Sequence, residues 1–168
     1  MRLVEGTVEI GGEAFPDVET FVAALDDIGD EHDVTVQAFD SRYIVSRRHL
    51  ERAVELADRE RERGEAIARD RGVEIMLYAA GRRQIQRALE LGIGEGETEA
   101  VVLVDGEGDE DAAAMAVEDL LEPIPTLGNY DEPAVREFYD IGAAELGATE
   151  RGIEDLVLER VALLVVER

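Results

Sequence analysis

The 168 residues predict an α/β (α+β) fold: a central mixed sheet of four to five strands flanked by helices, with a helical C-terminal part over about residues 130–168. Three observations point to it. Short β-branched or apolar runs alternate with helical periodicities along the chain. The length and an apolar content of 45% suit one domain, residues 1–168, with a sizeable core. No internal repeat interrupts the pattern.

The elements follow in order. "RLVEGTVEI" puts Val8 and Ile10 on one face and reads as a strand over residues 2–10. "DVETFVAALDDIG" spaces Val18, Phe21, Val22, Leu25 and Ile28 helically, with Gly29 as the expected stop. "DVTVQAF" is a second strand. Ser41 or Ser46 caps a helix that carries Leu50, Ala53, Val54 and Ala57 and ends near Gly64; a short helix around 65–70 follows. "VEIMLYA" reads as a buried strand, Gly81 as a turn, and "GRRQIQRALELG" as a helix with Ile85, Ala88 and Leu89 facing inward. "EAVVLVDG" is a further strand. "DEDAAAMAVEDLLEPI" is a helix capped by Asp109 or Asp111 and ended by Pro123. Beyond a Gly- and Pro-containing link, Pro133 stands at the first position of another helix, and Thr149 caps a last one. Residues 162–167 suit helix or strand equally.

Composition narrows the function. The net charge is −24, from 41 acids and 17 bases, and every base is arginine. A carboxylate surface without lysine suits a protein that works in molar salt, as in a salt-loving archaeon, where the Debye length is only ~3 Å. The acidity therefore says little about partners. The arginines are uneven, however. Twelve of the 17 lie between Arg42 and Arg87 against eight acids, a local balance of +4, while the rest of the chain is −28. That asymmetry hints at an anionic partner for the middle third. Arg59, Arg61 and Arg63 interleave with glutamates and read as a solvated helix face. No apolar run is long enough to span a membrane, no signal peptide opens the chain, and cysteine is absent; a cytoplasmic protein is expected.

No catalytic constellation is visible. His32 and His49 stand on different elements without a spaced ligand set, so neither a metal nor another cofactor is expected. There is no nucleophile elbow, and a phosphate loop of the lysine-bearing type is impossible. The chain reads as a non-enzyme. The remaining site is the Gly81 turn. A helix N-terminus there would offer free N–H groups and the positive end of a dipole, with Arg82 and Arg83 in its first turn: a phosphate seat. Tyr43 and Tyr78 add stacking faces for an unpaired base. A nucleotide- or phosphate-ligand-binding regulatory domain or enzyme using that turn is the alternative. A structural adaptor whose arginines pair only with its own acids is a third reading.

Three segments in order resemble one family. "EIMLYAAGRRQIQRALELGI" matches at Glu74, Ile75, Ala79, Gly81, Gln84, Ile85, Ala88 and Gly92; "SRRHLERAV" matches at His49, Leu50 and Ala53; "LVLERVALL" matches at Val157, Leu158, Glu159, Ala162 and Leu163. Together they resemble the small CGI-type subunit of KEOPS. The sequence departs from that pattern at Tyr78, where a basic residue is usual, at Ala80, where Ser is common, and at Arg82, where an amide is common. The resemblance implies a non-catalytic subunit that binds the PRPK-type kinase/ATPase subunit and the single-stranded CCA end of tRNA, in support of threonylcarbamoyladenosine modification. On that basis Arg47, Arg48, His49, Tyr78, Gly81, Arg82, Arg83 and Gln84 are the expected tRNA contacts. Ile153, Leu156 and Val157 are the expected kinase contacts. The competing readings are a structural role for His49 and a core role for the three apolar residues.

Overall fold

The structure is a computed structural model that describes residues 1–148 and 152–167. The expected cap at Thr149 lies outside the described residues. The chain is α+β and divides into two compact units: residues 1–41 with 92–127, and residues 42–91 with 128–168.

The first unit carries β1 (Arg2–Ile10), α1 (Val18–His32), β2 (Thr35–Asp40), β3 (Gly96–Asp105), α5 (Glu110–Glu118) and the two-residue β4 (Glu122–Pro123). The strands form one sheet in the order β2-β3-β1-β4. Every pairing is antiparallel, so the sheet has four strands and is not mixed. Alternation does what the sequence predicts: Val4, Val8, Ile10, Val36, Ala38, Val102 and Val104 share a buried cluster with Phe21 and Leu25 of α1 and Ala113, Ala114 and Val117 of α5. Asp17 caps α1 through the Thr20 N–H, and Asp109 caps α5 through the Ala112 N–H. α5 ends at Glu118, and Pro123 instead pairs with β1.

Gly29 does not stop α1. The helix runs on to His32 and ends where Asp33 takes the left-handed conformation, φ 56°. Gly29 is needed for approach: a Cβ there would lie 2.7 Å from the Val34 carbonyl oxygen.

The second unit is helical: α2 (Arg47–Glu62), α3 (Arg71–Ala80), α4 (Ile85–Ala88), α6 (Glu132–Phe138), α7 (Ala143–Ala148) and α8 (Ile153–Glu167). Ser46, not Ser41, caps α2 by accepting from the His49 N–H. No helix forms around 65–70; the Ile67 and Ala68 N–H groups donate to the buried Glu74 carboxylate instead. The largest departure from expectation is residues 71–80, a helix and not a strand. Asp70 caps it by accepting from the Val73 N–H, and Gly81, at φ 63°, ends it. Gly72 and all of Glu74–Ala80 are buried, so no polar stripe breaks the apolar run, and an all-round buried helix shows no period. The helix expected over residues 82–92 is only α4 and a 3₁₀ turn, Leu89–Leu91. Ala88 is buried, but Ile85 and Leu89 face solvent. Asp131 caps α6, with Pro133 in its first turn, one place after Glu132. Residues 162–167 are helical, as the last part of α8.

Replacing Gly29 by Ala would add roughly 1 kcal/mol of helix propensity. We expect the clash with the Val34 carbonyl to outweigh it, with a net loss of about 1–3 kcal/mol, read as a lower urea midpoint with an unchanged slope.

Candidate nucleic-acid and partner interface

The site is built outward from one oxygen. The Ala79 carbonyl lies in the last turn of α3, where intrahelical donors run out. It is buried and takes two donors: His49 Nε2 at 2.8 Å and the Tyr139 hydroxyl at 2.8 Å. His49 Nδ1 accepts from the Val45 N–H at 3.3 Å, which assigns the proton to Nε2. One turn further, the Gly81 and Arg82 N–H groups return to Tyr78 O and Leu77 O, closing the helix. Gly81 is fixed for two reasons. Its φ is 63°, and a Cβ would lie 2.9 Å from the Arg160 carbonyl oxygen of α8.

Gly81 therefore stands at a helix C-terminus, not at the N-terminus that the sequence suggested. The following α4 has four residues, and Gln84 at its start makes no side-chain cap. Free N–H groups and dipole do not make a phosphate seat here; any anion must be held by side chains. Arg82 is partly committed. It donates to the Phe138 carbonyl, lies over the Phe138 ring at 5.2 Å and stands 3.7 Å from Asp140. Arg87 lies 6.0 Å from the same ring centre. Arg83 is exposed, and among the described residues no acid or carbonyl holds it. Gln84, Ile85, Gln86 and Leu89 are exposed around it. Gly81, Arg82, Arg83 and Gln84 thus form one loop, half-buried at its root and exposed at Arg83 and Gln84.

The other expected tRNA residues are placed differently. His49 and Tyr78 are wholly buried, so neither offers a face to RNA. Arg47 pairs with Glu51 at 2.7 Å and Arg48 with Glu154 at 3.0 Å, on α2 and α8. Tyr43 is half-buried, its ring 5.6 Å from that of Phe138.

The expected kinase contacts are corrected as well. Ile153, Leu156 and Val157 are buried, with Val161 and Leu164, on the inner stripe of α8. At about 3.6 residues per turn, Leu158, Ala162, Val165 and Val166 fall on the opposite side. Val166 is 77% exposed, and the other three are half-buried. Leu158 also lines a groove of about 240 Å³ rimmed by Arg48, Glu51, Arg52 and Glu55 of α2. Sequence reading passed over this second stripe and over Arg160. The signal for the stripe was present: "LVLERVALLVVE" has more apolar residues than one face of a helix can use. Arg160 gave no signal, because its role depends on carbonyls distant in sequence.

These features suit a surface-recognition module of α+β class, and no group of three or more potential metal ligands occurs among the described residues. A model of the family described as kinase binding protein CGI-121 matches residues 15–164. The chain belongs to that family. No curated protein sequence matches it. No helix among the described residues is long and apolar enough to cross a membrane.

Burial lowers the His49 pKa from 6.5 to about 4, and the bond to Ala79 only partly opposes this. The unfolded chain therefore takes up the proton first. The stability that neutral His49 contributes is complete above about pH 6.5 and falls as pH drops toward 4, by about 3 kcal/mol in all. Glu74, whose carboxyl is raised by burial, acts in the opposite sense. The expected result is therefore a difference: between pH 6.5 and 4 the wild type loses more stability than His49→Gln, measured by denaturant unfolding at each pH. Parallel curves would assign the acid sensitivity to another group.

Proposed function

We propose that the chain is the non-catalytic subunit of KEOPS that holds the single-stranded CCA end of tRNA and the PRPK-type kinase/ATPase subunit. In that role it supports threonylcarbamoyladenosine modification in the cytoplasm of a cell with molar internal salt. The 168 residues act as one subunit in this reading. Membership of the kinase-binding family supports the kinase half. The loop with its exposed, unclaimed Arg83 is the observation that carries the RNA half.

The loop suits a single strand for physical reasons. An exposed guanidinium forks onto a phosphate, Gln84 offers a donor and an acceptor, and Ile85 and Leu89 give apolar contact for a splayed base or ribose. In molar salt the counterion-release contribution to affinity is largely spent. Binding then rests on these short-range contacts. Arg82 acts from behind the loop, while at the start of α2 Arg48 lines the α8 groove and Arg47 pairs with Glu51 on its rim.

For the kinase subunit we assign the outer stripe of α8, Leu158, Ala162, Val165 and Val166, with the charged rim of α2. A contiguous apolar face rimmed by charge is the usual anatomy of a docking surface.

The alternative, a small phosphorylated ligand at the Gly81 turn, has one feature in its favour. A cavity of about 220 Å³ is lined by Gly81, Arg82, Tyr139, Asp140 and Arg160. It is smaller than the roughly 300–1,000 Å³ usual for ligand pockets, and both its arginines are bonded to carbonyls. The tRNA reading is the better supported.

Two outcomes test the proposal. In about 2 M KCl, strong enough to screen nearly all long-range charge effects, removing the CCA end should abolish tRNA binding. Arg83→Glu should weaken binding of intact tRNA about tenfold or more, as for loss of one charge-assisted bond. Undiminished binding by trimmed tRNA or by Arg83→Glu would refute the RNA assignment. Separately, the double variant Leu158→Asp, Val166→Asp should weaken kinase-subunit binding by roughly 100-fold or more, since two apolar contacts are lost, each worth ~1.5–3 kcal/mol when fully buried. Calorimetric titration checks this, with tRNA binding as the control that should not move.

A further inference from the structure

Two arginines from different surfaces converge on the end of α6. Arg82, from the loop, donates to the Phe138 carbonyl. Arg160, from α8, donates through Nε to Tyr139 O at 2.9 Å and through Nη2 to Asp140 O at 3.1 Å and Glu145 Oε2 at 2.8 Å. Three successive carbonyls at the negative end of a helix are thus held by guanidinium groups. Asp140 adopts φ 55°, in the left-handed region where a non-glycine residue is strained. Such strain persists only where surrounding bonds enforce it, and Arg160 supplies one of them.

Arg160 also touches the loop through its backbone. Its carbonyl oxygen is the atom that a Cβ on residue 81 would meet at 2.9 Å, so the root of the loop rests directly on α8 at this residue. The 220 Å³ cavity between Arg82 and Arg160 leaves space into which the loop root can shift if the fork is lost. The guanidinium of Arg160 is itself mostly covered, its side chain 22% exposed, and all three of its acceptors are the protein's own.

We propose that Arg160 is a positioning residue for RNA capture: it fixes the end of α6, which fixes Arg82, and thereby aims Arg83 and Gln84. The proposal rests on the RNA reading of the loop. It makes α8 serve the RNA loop on one side while its outer stripe faces the kinase subunit.

A double-mutant cycle tests it, with affinity for an RNA stem ending in CCA measured by fluorescence anisotropy in about 2 M KCl. Arg83→Gln and Arg160→Met should each cost about tenfold, and the double variant should be less than about threefold weaker than Arg160→Met alone, because a misplaced Arg83 has little left to lose. Arg160→Lys should not recover wild-type affinity, since an ammonium cannot fork between two carbonyls and a carboxylate. Multiplying effects, of about a hundredfold in the double variant, would overturn the positioning role while leaving Arg83 as an RNA contact. So would wild-type affinity in Arg160→Lys or Arg160→Met. If Arg160→Met does not fold by circular dichroism, Arg160→Lys replaces it in the cycle with the same expectation of non-additivity. If Arg83→Gln costs nothing, the RNA reading itself fails, and this inference with it.

Discussion

One buried carbonyl, that of Ala79, sets the terms for the helical unit. An unpaired buried carbonyl costs about 1–3 kcal/mol, and the last turn of a helix supplies no donor of its own. His49 from α2 and Tyr139 from the end of α6 provide two, so three helices meet at one oxygen. Their chemistry is tightly bounded. His49 must be neutral with its proton on Nε2, because Nδ1 is occupied by the Val45 N–H. Tyr139 must keep its proton, which burial favours by raising its pKa. With Ala79 held, Gly81 has one place to stand, and the arginine loop leaves the unit at one fixed point.

Charge counting points to the middle third of the chain, but net charge is an incomplete measure of it. The +4 balance over Arg42–Arg87 suggests a basic patch. In the folded chain most of that charge is spent locally: Arg47 on Glu51, Arg52 on Glu55, Arg63 on Glu60, Arg71 on Asp58. The exposed ones, Arg47–Glu51 and Arg52–Glu55, contribute little in strong salt. Arg82, with one bond to the Phe138 carbonyl, and Arg160, with a fork onto the Tyr139 and Asp140 carbonyls, carry structural weight, because hydrogen-bond geometry and not net charge is recognised there. Lysine would serve poorly at both, which gives a lysine-free sequence a use beyond surface hydration.

The sequence made the sheet unit legible and the helical unit only partly so. A strand with one solvated face advertises a period of two, as Val8 and Ile10 do in β1; β2 was readable from the β-branched residues of "DVTVQAF", and β3, buried from Ala100 to Val104, from the continuous apolar run of "EAVVLVDG". Helical spacing located α1, and capping residues located α2 and α5. Residues 71–80 failed because burial on all sides erases periodicity; Asp70 and Gly81, ten residues of helix apart, were the clue to weigh. That one misreading turned a helix C-terminus into an imagined N-terminus and changed the chemistry of the site. Arg83 and Gln84 are exposed under either reading, because a loop residue keeps its surface place whether a helix ends or begins beside it. His49 and Tyr78 were lost to the interior, since nothing local distinguishes a buried polar side chain from an exposed one.

The two faces of α8 show how a single helix can belong both to a core and to a partner. Its inner stripe, Ile153, Leu156, Val157, Val161 and Leu164, is committed to the helical unit. A helix that needed only that stripe would carry acids on its other side, as the rest of this surface does. On α8, Leu158, Ala162, Val165 and Val166 stand there beside the acids Asp155 and Glu159, in a chain whose net charge is −24. Apolar surface gains nothing from hydration, and dense carboxylates elsewhere keep the molecule soluble without it. Under the proposed function the exception has a physical reason. Where salt screens charge beyond ~3 Å, long-range steering is weak, and a partner must be held by burial of apolar area, which needs no charge at all.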